Sequence, residues 1–309
     1  MYREITDELK QSAECKLNEV SSRIEDDIEH IRQWMAKQPH LSFEIDNQLI
    51  LSFLRCSKFS LQQTKEKIDA HYTARTIMPE MFSNRDPFLP EIQHLLNAGV
   101  MLPLPNLDPG DGSRIICATY GRNLDSNLVN LYNVSKLVYM VLDILLMEDD
   151  NMIINGIKIL VQAKGFPLGF LPNVTPVYMK KHWYGIEKGF PFRIQELCVA
   201  HLPAPFVFAY NVLKKFASGK MSQRMVLVSE SKIPELCQKS PHYFPKEMGG
   251  NNGTVQELIV TWKKKVESYK EWYLQEETKK SYENLRIGKP KTSSGELGVE
   301  GSFRQLDID

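Results

Sequence analysis

The chain has 309 residues, enough for one large domain or two smaller ones with a sizeable core. Lys+Arg and Asp+Glu are equal at 38 each, which excludes a global field toward nucleic acid or membrane, so any such attraction must come from local patches. Five cysteines (Cys15, Cys56, Cys117, Cys198, Cys237) form no CxxC pair and read as reduced thiols of a cytosolic protein, and the polar start MYREITDELK reads as no signal peptide.

Residues 1–86 read as helices only. Glu4 to Met35 carries a helical pattern through Leu9, Leu17, Val20, Ile24, Ile28, Ile31 and Trp34. A second helix is expected from about Asp46 to Cys56, with Leu49, Ile50, Phe53 and Leu54 apolar. A third opens at Ser60, where Ser60 and Gln63 form a capping box ahead of Ile68, Tyr72 and Ile77. Beyond Pro87 the character changes. Short β-rich runs (Arg114–Thr119, Gly156–Gln162, Arg193–Ala200, Met225–Val228) alternate with helices at about Leu128–Met147, Thr175–Glu187 and Pro205–Arg224. Such alternation predicts an α/β domain with a mostly parallel sheet and crossover helices. The apolar stretch Leu137–Met147 is too short to span a bilayer and is broken by Asp143. A basic helix, Glu257 to Glu277, follows, and from about Lys289 the Gly- and Ser-rich sequence reads as a disordered tail. The expected division is a helical N-terminal domain (1–86), an α/β domain (87–260), a C-terminal helix (261–288) and the tail (289–309).

Pro205 to Arg224 is the most informative stretch. At about 100° per residue, Phe206, Ala209, Tyr210, Leu213, Phe216 and Ala217 share one side of a helix. Asn211, Lys214, Lys215 and Ser218 take the other side, and Lys220 and Arg224 follow with no acid among them. A segment of this kind suits a cover over an apolar cavity that also meets anionic headgroups. The same shape fits an ordinary surface helix packed on a core, although Val207 and Phe208 spill apolar surface onto its polar side.

Catalytic and cofactor motifs are missing. There is no GxGxxG after a strand, no GxxxxGK[ST], no GxSxG elbow and no HExxH. The glycines of Asp108–Gly112 precede a strand and read as a turn, and the seven histidines are scattered without zinc spacing. Neither enzyme activity, nor a cofactor, nor a metal is expected. Glu148-Asp149-Asp150 reads as a solvated helix end. Asp143 has two readings: a member of a polar stripe with Lys136 and Asp150, or a polar anchor facing a cavity.

Several segments together resemble the CRAL-TRIO family. Asp46-Asn47 through Leu54-Arg55, continued as Lys58-Phe59-Ser60-Leu61, resembles its helical entry motif, and Asp111-Gly112-Ser113-Arg114 the turn before its first strand. Asn155-Gly156-Ile157-Lys158, followed by Gly165-Phe166, is similar to its central strand and the turn after it. Phe190-Pro191-Phe192-Arg193 resembles the next strand entry, Phe244 to Gly250 the "LP.EYGG" motif, and Thr254 to Trp262 the closing helix. The resemblance spans about residues 25 to 275, with the branch of α-tocopherol transfer, cellular retinaldehyde-binding and clavesin proteins nearest. Three positions depart from that branch: Gln195 replaces a second basic residue, and Gln162 and Lys164 replace two acids.

The resemblance implies a helical N-terminal domain and an α/β lipid-binding domain whose sheet floors an apolar cavity under a mobile amphipathic lid. It implies a cavity wall of Phe166, Phe190, Phe192, Phe206, Tyr210 and Leu213, and a phosphoinositide-binding cleft of Arg55, Arg193, Lys220 and Arg224. The expected function is a non-enzymatic cytosolic carrier of a hydrophobic small molecule (tocopherol, retinoid or carotenoid-like). It would exchange that cargo reversibly at phosphoinositide-containing membranes, with no nucleic-acid partner. The competing expectation is a phosphoinositide-reading trafficking adaptor with an incidental cavity lipid.

Overall fold

The computed structural model describes residues 2–120, 124–229, 232, 235, 238 and 240–291. The pattern from Glu4 to Met35 divides into two helices, α1 (Asp7–Leu17) and α2 (Ile24–Ala36), because Asn18 adopts the left-handed region at φ 60 and ends the first. Asparagine tolerates that conformation better than most residues. Helix α3 (Asn47–Cys56) starts where the Asp46 carboxylate accepts the Leu49 N–H at 2.7 Å, and α4 (Leu61–Ile77) starts at Ser60, whose hydroxyl accepts the Gln63 N–H. Short helices α5 (Pro79–Phe82) and α6 (Pro90–Ala98) lead to the sheet.

The sheet has five strands in the order β1-β2-β3-β4-β5. Strand β1 (Met101–Pro103), which the sequence pattern does not flag, runs antiparallel to β2 (Arg114–Thr119). Strands β3 (Ile157–Gln162), β4 (Ile194–Ala200) and β5 (Met225–Val228) continue parallel to β2. Each parallel step needs a crossover: α7 (Leu131–Glu148) with α8 (Asp150–Asn155), then α9 (Pro176–Tyr184), then α10 (Ala204–Phe216) with α11 (Gly219–Arg224). Right-handed crossovers between strands added in one direction place all these helices on one face of the sheet. The other face is covered by α12 (Val255–Ser268), whose Val255, Leu258 and Ile259 pack with Leu102, Leu104, Ile115, Cys117, Leu160, Cys198 and Phe244. One continuous core joins the N-terminal helices to α7 and the crossover face, from Ile28 and Phe53 through Tyr72 to Tyr139 and Phe190.

Three expectations change here. The single helix Pro205–Arg224 is two, because Ala217 is extended at ψ 148 and Ser218 caps α11. The basic helix Glu257–Glu277 is also two, α12 and α13 (Lys270–Glu276), and α12 runs across the expected domain boundary at 260. Most of the expected tail, from residue 292, lies outside the described residues, whereas Lys291 holds Asp69 at 2.8 Å.

Asp143 is neither in a solvated stripe nor on a cavity wall. It is 1 % exposed, and its carboxylate takes Arg85 at 2.6 Å and Arg75 at 3.3 Å, both guanidinium groups being buried as well. A charge taken so far from water persists only when paired. The cluster therefore ties α4 and the loop after α5 to α7. Two glycines explain motifs read in the sequence. A Cβ on Gly250 would sit 1.9 Å from the Phe244 carbonyl oxygen, and one on Gly156, at φ 89, would sit 2.5 Å from that of Arg193.

Candidate functional site

Between the sheet and its crossover helices lies a hollow of about 200 Å³. Val161 and Val199 form its floor, Leu131, Val134 and Val138 come from α7, and Met179 comes from α9. Phe166 and Phe206 meet edge to face at 4.6 Å between ring centroids, closing one side. The lid helix α10 turns Phe206, Ala209 and Tyr210 inward, Phe206 being only 4 % exposed, while Phe208 on its outer side is 76 % exposed. Leu168 and Leu171, on the short 3₁₀ segment that packs against α10, are also exposed. The lid thus has apolar surface on both sides.

Of the six expected wall residues, Phe166, Phe206 and Tyr210 line this hollow. Phe190 does not. It stacks on Tyr139 at 5.2 Å and meets His71 edge to face, within the core shared with the N-terminal helices. Phe192 lines the basic cleft instead. The reason is topological: both residues enter at the N-terminal end of β4, whereas the hollow opens near the C-terminal ends of β3 and β4, where Ala163, Phe166 and Leu202 sit. The side chain of Leu213 lies outside the described residues.

Polar groups at the hollow escape a reading based on aromatic residues. Ser135 on α7 and Tyr178 and His182 on α9 line it, with the Ser135 hydroxyl 2.9 Å from that of Tyr178 and 3.1 Å from Nδ1 of His182. Burial pushes the His182 imidazole down to about 4, so it is neutral at pH 7, and raises the Tyr178 phenol. The available sequence signal was a hydroxyl residue inside a mostly apolar helix, together with a Tyr and a His four residues apart on a later one.

A second cleft, also about 200 Å³, is lined by Trp183, Ile186, Glu187, Phe192, Arg193, Ile194, Ser218, Lys220, Met221 and Arg224. It unites three of the four expected cations. Arg193 donates to the carbonyl oxygens of Arg55 (3.2 Å), Ile153 (3.1 Å) and Ile154, so its position is fixed by the last turn of α8. Burial lowers its pKa, and the like charge of Arg224 acts in the same direction. Arg224 donates to the Ile194 carbonyl, and Lys220 is exposed. The indole N–H of Trp183 is buried without a partner among the described residues. From α4, Lys67 reaches the same turn and donates to the Glu187 carbonyl at 2.8 Å.

Arg55, the fourth expected cation, is not on this cleft. Its side chain is 2 % exposed and clamps the buried Glu19 carboxylate through Nε at 2.8 Å and Nη2 at 3.1 Å. Only its backbone carbonyl serves the cleft, by holding Arg193. The cleft is not purely cationic either. Glu187 enters it from the turn after α9, and its carboxylate accepts the Ser218 N–H at 3.4 Å. A larger groove of about 850 Å³ lies between α1, the end of α7 and α12, but Glu148, Asp149, Asp150, Glu257, Lys264 and Lys265 rim it. Ile5, Leu9, Leu104, Ile144, Leu145 and Trp262 also line it, so its wall is mixed.

The family model described as CRAL/TRIO domain matches residues 99–250, and that described as Pinta-like, UBA domain matches residues 20–92. "Alpha-tocopherol transfer protein-like" of Mus musculus is 30 % identical over 251 residues, covering 81 % of this chain and 71 % of that protein. This chain belongs to the CRAL-TRIO family. The CRAL-TRIO protein is also 28 % identical to "Alpha-tocopherol transfer protein-like" of Homo sapiens, over 84 % of this chain and 74 % of that one. "Clavesin-1" of Xenopus laevis is 24 % identical over 81 % and 75 %. The solved structure titled "Crystal structure of Sfh5" is 13 % identical with a TM-score of 0.48, covering 83 % of this chain and 92 % of that one.

The departures from the CRAL-TRIO branch pattern have local partners. Gln195 is the extra residue where the β3–β4 register shifts, and its amide donates to the Asn155 carbonyl at 2.9 Å, away from the cleft. Gln162 accepts from the Lys164 N–H at 3.1 Å and pairs with His201 at 2.7 Å. Among the described residues, no helix is long and apolar enough to cross a membrane.

Proposed function

We propose that this CRAL-TRIO protein is a cytosolic, non-enzymatic carrier that holds an apolar small molecule under α10 and exchanges it at phosphoinositide-bearing membranes. The observation that carries the reading is a lid with an apolar inner face on the hollow, an apolar outer face at Phe208, and a cleft of Arg193, Lys220 and Arg224 beside its end. Each buried CH₂ contributes about 0.8 kcal/mol, so a cargo of isoprenoid size binds tightly with few polar contacts. The names of the mammalian relatives point to a tocopherol-like cargo, and retinoids and carotenoids are likewise isoprenoid and apolar. A phosphorylated inositol headgroup needs convergent cations, and arginine supplies bidentate donors.

Cargo exchange between donor and acceptor vesicles tests the reading. Acceptors containing phosphatidylinositol bisphosphate should accelerate exchange, and salt should suppress the acceleration, because partly exposed charges are screened over about 8 Å. Equal exchange with neutral acceptors refutes it. The trafficking-adaptor reading keeps one observation in its favour: cleft and hollow share no lining residue. It predicts vesicle binding that is indifferent to cargo.

A further inference from the structure

The cleft beside the lid offers fewer phosphate donors than its cations suggest. A guanidinium grips a phosphate through two parallel N–H groups, either Nε with Nη2 or Nη1 with Nη2. In Arg193 both Nη2 hydrogens go to the carbonyl oxygens of Ile153 (3.1 Å) and Ile154, so neither fork is intact. One Nη1 hydrogen goes to the Arg55 carbonyl, which leaves Arg193 single donors only. Arg224 uses Nη1 on the Ile194 carbonyl and keeps its Nε–Nη2 fork. Lys220 stands one turn before it on α11 and is exposed. Two further positions that the branch pattern makes cationic add nothing: Arg55 is clamped to Glu19, and Gln195 is uncharged and turned away. Lys67 reaches the turn after α9 but does not line the cleft, its ammonium being held by the Glu187 carbonyl. Glu187 does line it, with its carboxylate on the Ser218 N–H. Three lining cations against one carboxylate leave a net of two positive charges. One phosphomonoester, at about −1.5 to −2 near pH 7, balances that. A second would meet Glu187 as a like charge.

We infer that the cleft seats a single phosphomonoester, on the Arg224 fork and Lys220, and that Glu187 is the residue that denies it a second. The inference rests on the phosphoinositide part of the carrier reading and sets the headgroup class. One phosphate on the inositol ring supplies the whole interaction. A bisphosphate headgroup docks through one of its phosphates and gains nothing from the other.

Cosedimentation of the full chain with phosphatidylcholine vesicles tests this. One set carries phosphatidylinositol 4,5-bisphosphate, and the other carries phosphatidylinositol 4-phosphate with phosphatidylserine added to match the surface charge. The parent protein should bind the two within about threefold, and Glu187→Gln, which keeps an acceptor for the Ser218 N–H, should favour the bisphosphate by about tenfold. A parent that prefers the bisphosphate by more than threefold overturns the inference and leaves the carrier reading standing, as does a ratio that Glu187→Gln leaves unchanged. Binding no stronger than to vesicles with phosphatidylserine alone overturns both. Free headgroups, added as competitors, separate the cleft from the membrane surface. Inositol 1,4-bisphosphate and inositol 1,4,5-trisphosphate should displace the monophosphate vesicles at concentrations within about threefold of each other. A trisphosphate effective at about a tenth of the bisphosphate concentration overturns the inference.

Discussion

Replacing Asp143 by asparagine removes one buried negative charge from between two buried guanidinium groups, Arg85 at 2.6 Å and Arg75 at 3.3 Å. Asparagine keeps the shape and one acceptor oxygen, but both cations lose their counter-charge. Removing one partner of a buried pair costs about 3–5 kcal/mol, and the two contacts do not add because they share a carboxylate. With an unfolding entropy of about 2.1 cal/mol/K per residue, a 309-residue chain loses about 5–8 °C in Tm. Thermal unfolding followed by circular dichroism at pH 7 measures this, with cargo content of the folded variant assayed alongside. Asp143→Leu combined with Arg75→Met and Arg85→Met should recover most of the loss, because a packed apolar trio needs no compensation. An Asp143→Asn protein with unchanged Tm would refute the reasoning, and one that keeps its Tm but loses cargo would return Asp143 to the cavity.

The double variant Phe206→Ala, Tyr210→Ala should keep most of its thermal stability and lose hydrophobic ligand, since both side chains line the hollow from the lid; a collapse in Tm would make them ordinary core. Lys220→Ala with Arg224→Ala should weaken cosedimentation with phosphoinositide vesicles while leaving cargo affinity within about threefold, and undiminished cosedimentation would reject the cleft assignment. Asp69 gives a pH test. Burial raises its pKa, but hydrogen bonds from Arg286 and Lys291 outweigh that and hold it at about 2 against an ordinary 3.8. Its folded pKa lies below the unfolded one, so the stabilisation is present above about pH 4 and is lost as pH falls toward 2, an amount of about 2 kcal/mol. Urea unfolding at pH 5 and pH 2.5 should show that loss in the parent and a smaller one in Arg286→Met; equal losses would show that this cluster is not the cause.

Alternation of strand and helix patterns beyond Pro87 was enough to read the sheet, because period and length separate β3 and β4 from α7 and α9. Strand β1 escaped, being three residues long and ending in a proline, with another proline two residues on. The helix breaks at Asn18 and Ala217 escaped too, since each depends on one residue's backbone conformation within an unbroken amphipathic pattern. Motif position put Arg193, Lys220 and Arg224 on one cleft, but it could not reveal that Arg55 points inward. That outcome depends on Glu19, 36 residues earlier, whose buried carboxylate claims the guanidinium. Asp143 is the same case, since its partners Arg75 and Arg85 lie in helical and loop segments with no sequence relation to α7. Aromatic content pointed to the hollow through Phe166 and Phe206 and misplaced Phe190, because the end of β4 at which a residue enters, and not its chemistry, decides which cavity it meets.

Extraction of the purified protein into organic solvent, with mass spectrometric identification and quantification of what is released, tests the carrier account most directly. The account predicts one apolar species of isoprenoid size, present at close to one molecule per chain and absent from Ala209→Trp, which fills the hollow from the lid side. A heterogeneous mixture of phospholipids, or an unchanged yield from Ala209→Trp, would contradict it.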